Sequence, residues 1–472
     1  MAQMHISFVV NLKVDTADSK FIEFLKPCGW LTAPDNASKK IRERLSEIRS
    51  EDRSLYTDNG NFKLIGDVAE ELEIMSEKAR ESISTFENML GRTAKKTELP
   101  EEIKIHAIEV AQQAVNLAEK KQETKAAENP LALQMALNPS HIIGVEDIVP
   151  AVLLRLGLRY EWLPYDRSDY KRRNQIIAKK GAQVLANLNP NICYYPVASA
   201  MDYNTAYDAG KVFAAAGHKY IAIGMGAYMA DNCYVDGYRF GRRWIKLGKS
   251  LPNRYLSTAL ITRGFFDGYY NEIGLPPEGF HFLGLGAPIM LPIVTRAAWG
   301  TSRVSFDATS PILDAVERTI YVNSPAYLKV RTWKVAQRLA NSPHEQWNCP
   351  CPFCQNFMKE YPFDYDLLRN SISSLNKPID PDDLREGGFY YHAAPLLSEP
   401  KSGSLRKAVT WARMGHNHWV LYGICEQLNQ AAQNQLEMDR YLDCVVEEYS
   451  ANAGGKRFAE VIKLAMEICR SE

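Results

Sequence analysis

The sequence lacks three features that would each define a class of protein. It has no net charge, since 56 basic and 56 acidic side chains balance over 472 residues. This argues against a surface that is basic throughout, but it does not exclude a local basic groove. No apolar run approaches the ~20 residues of a membrane-spanning helix. Residues 1–10 lack the basic segment and long apolar run of a signal peptide. We therefore expect a cytoplasmic protein with no membrane partner.

Nucleotide-binding motifs and disulfide patterns are also missing. No G-x-G-x-x-G segment follows a predicted strand and no Walker A sequence occurs, which excludes the Rossmann and P-loop folds. Cysteine is sparse, and its nine residues are an odd number that does not suit a disulfide framework. With 46% apolar residues, the chain can nevertheless bury a substantial core.

Charged segments with apolar residues at helical spacing are prominent in the first third of the chain. Residues 38–52, 67–90 and 101–128 have this pattern, which predicts amphipathic helices. Most of them belong to an insertion at about residues 67–137. Two interpretations stay open for it, because alternating charges are typical both of a solvated helix face and of an arm that binds a partner or nucleic acid.

From residue 138 onward, short apolar runs alternate with helical stretches. The runs are 141–145, 192–197, 220–223, 280–283 and 304–306, and the helical stretches between them include 174–188, 203–216, 256–273 and 288–299. Such alternation predicts an α/β fold of parallel strands with crossover helices. The number of units favours a closed (β/α) barrel over a short doubly wound sheet.

The remainder of the chain is irregular before it becomes helical again. A polar stretch at 361–404 is followed by predicted helical segments at 404–442 and 457–470. We therefore expect two parts: a barrel catalytic domain over residues 1–330, which includes the helical insertion, and a zinc-binding subdomain with C-terminal helices over residues 331–472.

Three cysteines, Cys349, Cys351 and Cys354, lie within six residues. One turn of this length can wrap three thiolates around a tetrahedral ion, and zinc suits such soft ligands. Candidates for the fourth ligand are His344, His392, His416, His418 and Cys425. We favour His416, because residues 413–428 read as a helix that would lay an imidazole over the cysteine loop, and a closed site of this kind is structural. The alternative is three buried free thiols.

Acidic residues stand where several apolar runs end. Asp58 follows residues 55–57, Glu146 and Asp147 follow residues 142–145, and Asp307 follows residues 304–306. In a barrel these positions form the C-terminal mouth, where catalytic groups are built. Each carboxylate alone has an alternative role in a turn or helix cap. Together they match the paired carboxylates of glycosidic chemistry.

Six segments, taken in chain order, carry a resemblance to one enzyme family. They are residues 55–62 (LYTDNGNF), 143–150 (IGVEDIVP), 220–225 (YIAIGM), 281–286 (HFLGLG), 305–307 (SFD), and the cysteine triad with His416 and Asn417. Together they resemble the corresponding motifs of the tRNA-guanine transglycosylases. The resemblance implies an irregular (β/α)8 barrel of the TIM type with an attached zinc subdomain.

The resemblance also implies a reaction and roles for residues. Asp307 would attack C1′ of a guanosine nucleotide and displace guanine, leaving a covalent glycosyl-enzyme intermediate, and Asp58 would act as general acid and base. Glu146 and Asp147 would bind the N–H edge of the base. Six neighbouring residues complete the expected base site: Asn59, Phe62, Gly224, Met225, Leu283 and Gly284. The metal ligands would be Cys349, Cys351, Cys354 and His416, with zinc as the structural cofactor.

The motifs depart from the family pattern at several positions. Asn59 and Asn61 replace a serine and a glycine, Lys63 replaces a glutamine, and Met225 replaces the second glycine of its loop. No glutamine-glycine-glycine strand end is found near residues 195–199, and we recognise no appended RNA-binding domain. These departures favour the divergent branch of the superfamily that inserts 7-cyano-7-deazaguanine or a relative into DNA. A tRNA substrate is the alternative.

A basic run with aromatic neighbours suggests contacts with a nucleic acid. Arg239, Arg242 and Arg243 lie beside Tyr238, Phe240 and Trp244, a composition typical of phosphate-contacting segments. A solvated helix face is the alternative explanation. The expected partners are thus DNA or tRNA and a 7-deazaguanine base, and a homodimer stays open. Two further functions are weighed: a non-catalytic nucleic-acid-binding subunit, and a barrel enzyme with another glycosidic substrate.

Overall fold

The structure is a computed structural model that describes residues 4–48, 53–90, 94, 98–157, 167–229, 233–322, 327–369 and 378–471. The end of the predicted helix at 38–52, part of the insertion at 91–93 and 95–97, and residues 370–377 of the polar stretch lie outside the described residues. Within the described part of the chain, no helix combines the length and the apolarity that crossing a membrane requires.

Nine strands form one parallel sheet. In chain order they are β1 (His5–Asn11), β2 (Gly29–Thr32), β3 (Ser54–Thr57), β4 (His141–Ile143), β5 (Cys193–Tyr195), β6 (Val197–Ala198), β7 (Tyr220–Gly224), β10 (Gly279–Leu283) and β11 (Arg303–Asp307). Their order in the sheet is β5-β4-β3-β2-β1-β11-β10-β7-β6. Two antiparallel hairpins stand apart from it: β8 (Tyr234–Phe240) with β9 (Arg243–Pro252), and β12 (Thr319–Tyr321) with β13 (Lys329–Arg331).

The sheet curls into a nearly closed barrel, because β5 and β6 stand at its two ends and are separated only by Pro196. The backbone N of Val197 donates to Val145 O at 2.9 Å on one side of this segment. On the other side, Ala222 N donates to Pro196 O at 3.0 Å. The predicted mixed α/β fold with a closing parallel sheet is thereby confirmed in its broad form.

Helices surround the sheet. The first half of the chain contributes α1 (Ser19–Leu25), α2 (Lys39–Ile48), α3 (Asn61–Glu71), α4 (Glu73–Leu90), α5 (Glu101–Ala127), α6 (Pro130–Met135), α7 (Val149–Arg155), α8 (Arg167–Leu185) and α9 (Tyr203–Ala215). The second half contributes α10 (Gly226–Met229), α11 (Asn253–Ile273), α12 (Met290–Ala297), α13 (Ser310–Val316), α14 (Thr332–Asn341), α15 (Pro352–Glu360), α16 (Gly403–Ala431), α17 (Gln435–Asn452) and α18 (Lys456–Arg470).

The helical insertion between β3 and β4 packs on the barrel through its own apolar core. Val68 of α3 and Val110 and Ala114 of α5 are fully buried with Val149 and Val152 of α7. Most charged residues of these helices are exposed, as amphipathic spacing predicts.

Two sequence expectations are corrected. The basic run with Arg239, Arg242 and Arg243 forms a β-hairpin, so the explanation as a helix face is wrong. The single helical segment predicted at 404–442 is broken after α16, because the Asn434 side chain accepts a hydrogen bond from Glu437 N and begins α17.

Candidate functional site

The predicted carboxylates lie at the carboxyl ends of three strands of the one parallel sheet. Asp58 follows β3, Glu146 lies just beyond β4, and Asp307 is the last residue of β11. All three are at least partly buried. Burial and then the charge of Asp307 raise the pKa of Asp58, and burial and then the charge of Asp58 raise the pKa of Glu146. The three side chains therefore share one electrostatic environment at the mouth of the barrel.

Asp307 is held by donors from two other segments, the end of β10 and the end of β1. Its Oδ1 accepts hydrogen bonds from Gly284 N at 3.1 Å and from His281 Nε2 at 3.2 Å. Asn11 Nδ2 donates to Oδ2 at 3.4 Å. His281 is itself fully buried, and its Nδ1 lies 2.8 Å from Ser305 Oγ. Hydrogen bonds at both ring nitrogens therefore fix the orientation of the imidazole toward Asp307.

Asp58 has the environment of a proton carrier. Burial, followed by the nearby Asp307 carboxylate, raises its pKa to about 6. Backbone hydrogen bonds from Asn59 and Gly60 and the ammonium of Lys125 oppose this shift. Lys125 comes from α5, so the helical insertion contributes a charge to the mouth of the barrel. A pKa near neutrality allows a carboxyl group both to donate and to accept a proton.

Glu146 is held by two asparagines of the β3–α3 turn. Asn61 Nδ2 donates to its Oε2 at 3.1 Å, and Asn59 Nδ2 lies 3.4 Å from the same oxygen. Burial and then the charge of Asp58 raise the pKa of Glu146 to about 7. Gly224 leaves space beside it, since a Cβ at Gly224 would lie 4.0 Å from Glu146 Oε1.

The Asp147 carboxylate is already hydrogen-bonded by other groups of the protein. It accepts both hydrogen bonds of Arg173 Nη1, at 2.9 and 3.1 Å, and Oδ1 also accepts from Val149 N at 3.1 Å. Burial raises its pKa, and the charge of Arg173 opposes that shift. The same guanidinium donates to Glu119 of α5. Arg173 thus ties Asp147 to the helical insertion.

The other predicted base-site residues divide into two groups. Leu283 is the last residue of β10 and Gly284 follows it, so both lie at the mouth. Gly284 has a φ of +73° and donates its backbone N–H to Asp307. In contrast, the Phe62 side chain is 65% exposed, and the Met225 side chain is fully buried in the main apolar core. The Met225 backbone N–H is also occupied, since it donates to Leu283 O at 2.7 Å.

Below the carboxylates, the barrel interior holds a stack of rings that sequence reasoning missed. Tyr56 lies between His141, with ring centroids 4.1 Å apart, and His281, at 5.3 Å. Arg303 Nη1 contacts His141 Nε2. Burial and then the Arg303 charge lower the pKa of His141 to about 3. The stack fixes His281 beneath Asp307, and the only sequence signal is polar residues inside apolar strands.

The second site is a group of four potential metal ligands: Cys349, Cys351, Cys354 and His416, whose ligand atoms all lie within 4.8 Å of one another. His416 Nδ1 lies 3.3, 3.4 and 3.6 Å from the three sulfurs. Zinc bonds of about 2.3 Å to sulfur and 2.0 Å to nitrogen at tetrahedral angles place S and N roughly 3.5 Å apart. The spacing of the donors therefore fits a tetrahedral ion.

Neighbouring backbone orients the histidine of this group. His416 Nε2 lies 2.8 Å from Tyr321 O, to which only a protonated nitrogen can donate, so Nδ1 keeps its lone pair for a metal. Asn417 holds the same strand by accepting from Tyr321 N at 3.0 Å. His418 is instead fully buried against Phe8 and Phe21. Of the candidates for the fourth ligand, only His416 joins the three cysteines.

Comparison with known proteins adds no relative. No protein-family model matches the chain, and a search of curated proteins finds no significant match.

Proposed function

We propose that this protein exchanges guanine in a nucleic acid for a 7-deazaguanine such as 7-cyano-7-deazaguanine, with DNA as the polynucleotide. The observation that carries the proposal is the meeting of Asp58, Glu146 and Asp307 at one end of the nearly closed parallel sheet. Counting β5 and β6 as one strand interrupted at Pro196 gives eight parallel strands, which supports a (β/α)8 barrel.

The nucleophile of the proposed reaction is Asp307. Its carboxylate, oriented by His281 and the N–H of Gly284, attacks C1′, and the bond from C1′ to guanine breaks with its electron pair leaving on the base. A covalent glycosyl-enzyme ester results, which splits a difficult exchange into two displacements. The incoming base then attacks C1′ and releases Asp307. Reaching C1′ requires that the nucleotide leaves its stack.

Asp58 handles the protons of both displacements. In its protonated form it supplies the proton that neutralises the departing guanine, and as a carboxylate it takes the ring N–H proton of the incoming base. The pKa of about 6 suits both roles. Glu146 accepts hydrogen bonds from the donor-rich edge of the base, and those donors favour its ionised form. Asp147 positions this strand end through Arg173.

Zinc is the metal we propose for the group of three cysteines and His416. Thiolates and imidazole suit zinc, and a closed set of four protein ligands makes the ion structural. The ion would tie α15 to α16, because Cys354 lies in α15 and His416 in α16. The proposed division is a catalytic barrel over residues 1–330 and a zinc-binding part over 331–472.

The test is incorporation of labelled 7-cyano-7-deazaguanine into duplex DNA and into bulk tRNA, measured side by side with wild type and Asp307→Asn. We expect label in DNA from wild type but not from Asp307→Asn, and a covalent protein–DNA adduct that Asp307→Asn does not form. Asp366→Asn, at an exposed carboxylate, is the matched control. Label in tRNA alone would reject DNA but keep base exchange. Full activity of Asp307→Asn would reject the mechanism.

A further inference from the structure

The β8–β9 hairpin, Tyr234–Phe240 with Arg243–Pro252, connects the barrel to α11 at the mouth. It follows α10, which itself follows the carboxyl end of β7. Its turn is anchored at the same end, since Asn204 Nδ2 at the beginning of α9 donates to Gly241 O at 2.9 Å. Both attachments therefore lie on the side of the barrel where the carboxylates meet.

One face of the hairpin packs on the body of the protein. Tyr238, Phe240 and Leu247 are partly buried against the main apolar core. The Phe240 ring lies 4.2 Å from that of Tyr203, centroid to centroid. Lys249, nearer the base, pairs with Glu460 of α18. These contacts fix which face of the hairpin is turned outward.

The outward face presents an indole between two cations. Arg239 is directly opposite Trp244 across the two strands, and Gly237 is directly opposite Lys246, so all four positions share one face. Trp244 is 61% exposed, although tryptophan is usually buried. Within the described residues, Arg239 and Lys246 have no ion-pair partner.

The indole of Trp244 packs directly against the backbone of Gly237. A Cβ at Gly237 would lie 2.7 Å from Trp244 Cζ2 and 2.9 Å from Cε2, so the inner side of the ring rests where only glycine fits. The other side of the ring faces solvent. The ring is thus held in place before any ligand binds, which lowers the entropy cost of stacking a flat group on it.

The charge of the hairpin indicates the class of ligand. Between Tyr234 and Pro252 the only acidic residue is Asp236, which accepts a hydrogen bond from Ser250. The basic residues of the same segment are Arg239, Arg242, Arg243, Lys246 and Lys249. Cations flanking an exposed aromatic ring match single-stranded nucleic acid, whose bases stack while its phosphates pair with the cations. An acidic protein would pair with the same cations, and it is the occupant indicated if no form of the protein binds nucleic acid.

We propose that Trp244 stacks on an unpaired base of the polynucleotide, with Arg239 and Lys246 contacting the flanking phosphates. This inference rests on the proposed function, because extraction of a guanosine from its stack leaves a neighbouring base without a partner on one side. The hairpin supplies that partner next to the mouth. The proposed nucleic-acid site therefore includes Trp244, as a stacking residue, and Gly237, against which the indole packs, as well as the basic side chains.

The experiment measures the affinity of the full-length protein for a single-stranded oligonucleotide, a duplex and a tRNA at several salt concentrations. Trp244→Ala is expected to weaken binding of the single strand about 5- to 150-fold, and Trp244→Phe to restore part of it. Arg239→Gln with Lys246→Gln is expected to lower the slope of log affinity against log salt by about 1.4. Tyr270→Ala, at a 56% exposed ring near the far end of α11, is the matched control.

Base exchange measured on the same variants separates this inference from the proposed function. Weaker binding of the single strand by Trp244→Ala, with wild-type binding by Tyr270→Ala, supports it. Wild-type binding by Trp244→Ala, or no binding of nucleic acid by any form, overturns it. If wild type exchanges guanine and Trp244→Ala binds normally, the hairpin role fails while the enzyme assignment stands. If no exchange occurs but Trp244→Ala still loses affinity, the enzyme assignment fails instead.

Discussion

At the scale of single residues, several carboxyl groups lie together at the mouth of the barrel. Their surroundings favour the protonated form of Asp58 and Glu146. Burial and mutual repulsion raise the pKa of Asp58 to about 6 and that of Glu146 to about 7. Two asparagines and Lys125 partly offset this cost. Buried carboxyl groups whose pKa is raised toward neutrality are common in sites built for acid–base chemistry.

Replacing Glu146 is expected to stabilise the fold in a pH-dependent way. The unfolded chain ionises near the ordinary pKa of 4.5 and the folded chain near 7, so wild type loses stability as the pH rises through this window. Glu146→Gln removes the effect. At pH 8 it should raise the free energy of unfolding by about 3 kcal/mol at most, and Tm should rise with it. At pH 4 it should leave Tm unchanged.

Thermal unfolding of wild type and Glu146→Gln at both pH values checks this, with Glu128→Gln as the control at an exposed position. Stabilisation by Glu146→Gln that is equal at pH 4 and pH 8 would contradict a buried, titrating carboxyl group.

His281 is expected to act as a positioning residue for Asp307. His281→Phe removes the donor to Asp307 Oδ1 and leaves Ser305 Oγ without its hydrogen-bond partner. A hydrogen bond to a charged group contributes about 1.5–3 kcal/mol, so kcat should fall roughly 10- to 150-fold with KM little changed. His281→Gln should recover part of the loss. Steady-state base exchange measures this, and a variant that changes KM alone would assign His281 to substrate binding instead.

At the scale of elements, the sequence predicts strands that alternate with helices better than it predicts single side chains. Asp58, Glu146 and Asp307 were found because they follow apolar runs, and parallel strands end on one edge. His281 and Arg173 were missed, because a histidine inside an apolar strand and an arginine in a basic helix carry no local sign of their tertiary partners. The hairpin was missed because its aromatic and basic residues also fit a helix face.

The contact between α9 and α11 is expected to depend on glycine. A Cβ at Gly268 in α11 would lie 2.0 Å from Tyr207 O of α9, and that backbone atom cannot rotate away. Gly268→Ala should therefore destabilise the fold by about 1–3 kcal/mol. Gly423→Ala is the matched control, since nothing lies within 4 Å of its Cβ in helix α16, and it should stabilise by about 0.5–1 kcal/mol. Urea unfolding of both variants measures the difference, and equal effects would contradict the proposed close packing.

At the scale of the whole molecule, the C-terminal part shares its apolar cores with the barrel. Leu421 of α16 and Val461 of α18 are buried in one cluster with Phe8 and Phe306 of the sheet. Polar contacts also join the two, because the Asn429 amide accepts from Ile6 N and donates to Ile6 O, both at 2.7 Å. Asn429 thereby satisfies strand backbone that no neighbouring strand reaches.

The proposed metal belongs to a second shared core, which gives a prediction for the whole chain. Phe353, between the cysteines, packs with Phe21 and Val10 of the N-terminal segment. A bound ion stabilises only the folded state, so its loss should destabilise the barrel as well. We expect about one zinc per chain, and a single calorimetric transition that shifts to lower temperature on chelation or in Cys351→Ser. Cys444→Ser, at an exposed thiol, should leave the transition unchanged. Two separate transitions, of which only the smaller responds to chelation, would mean that the barrel folds independently of the metal site.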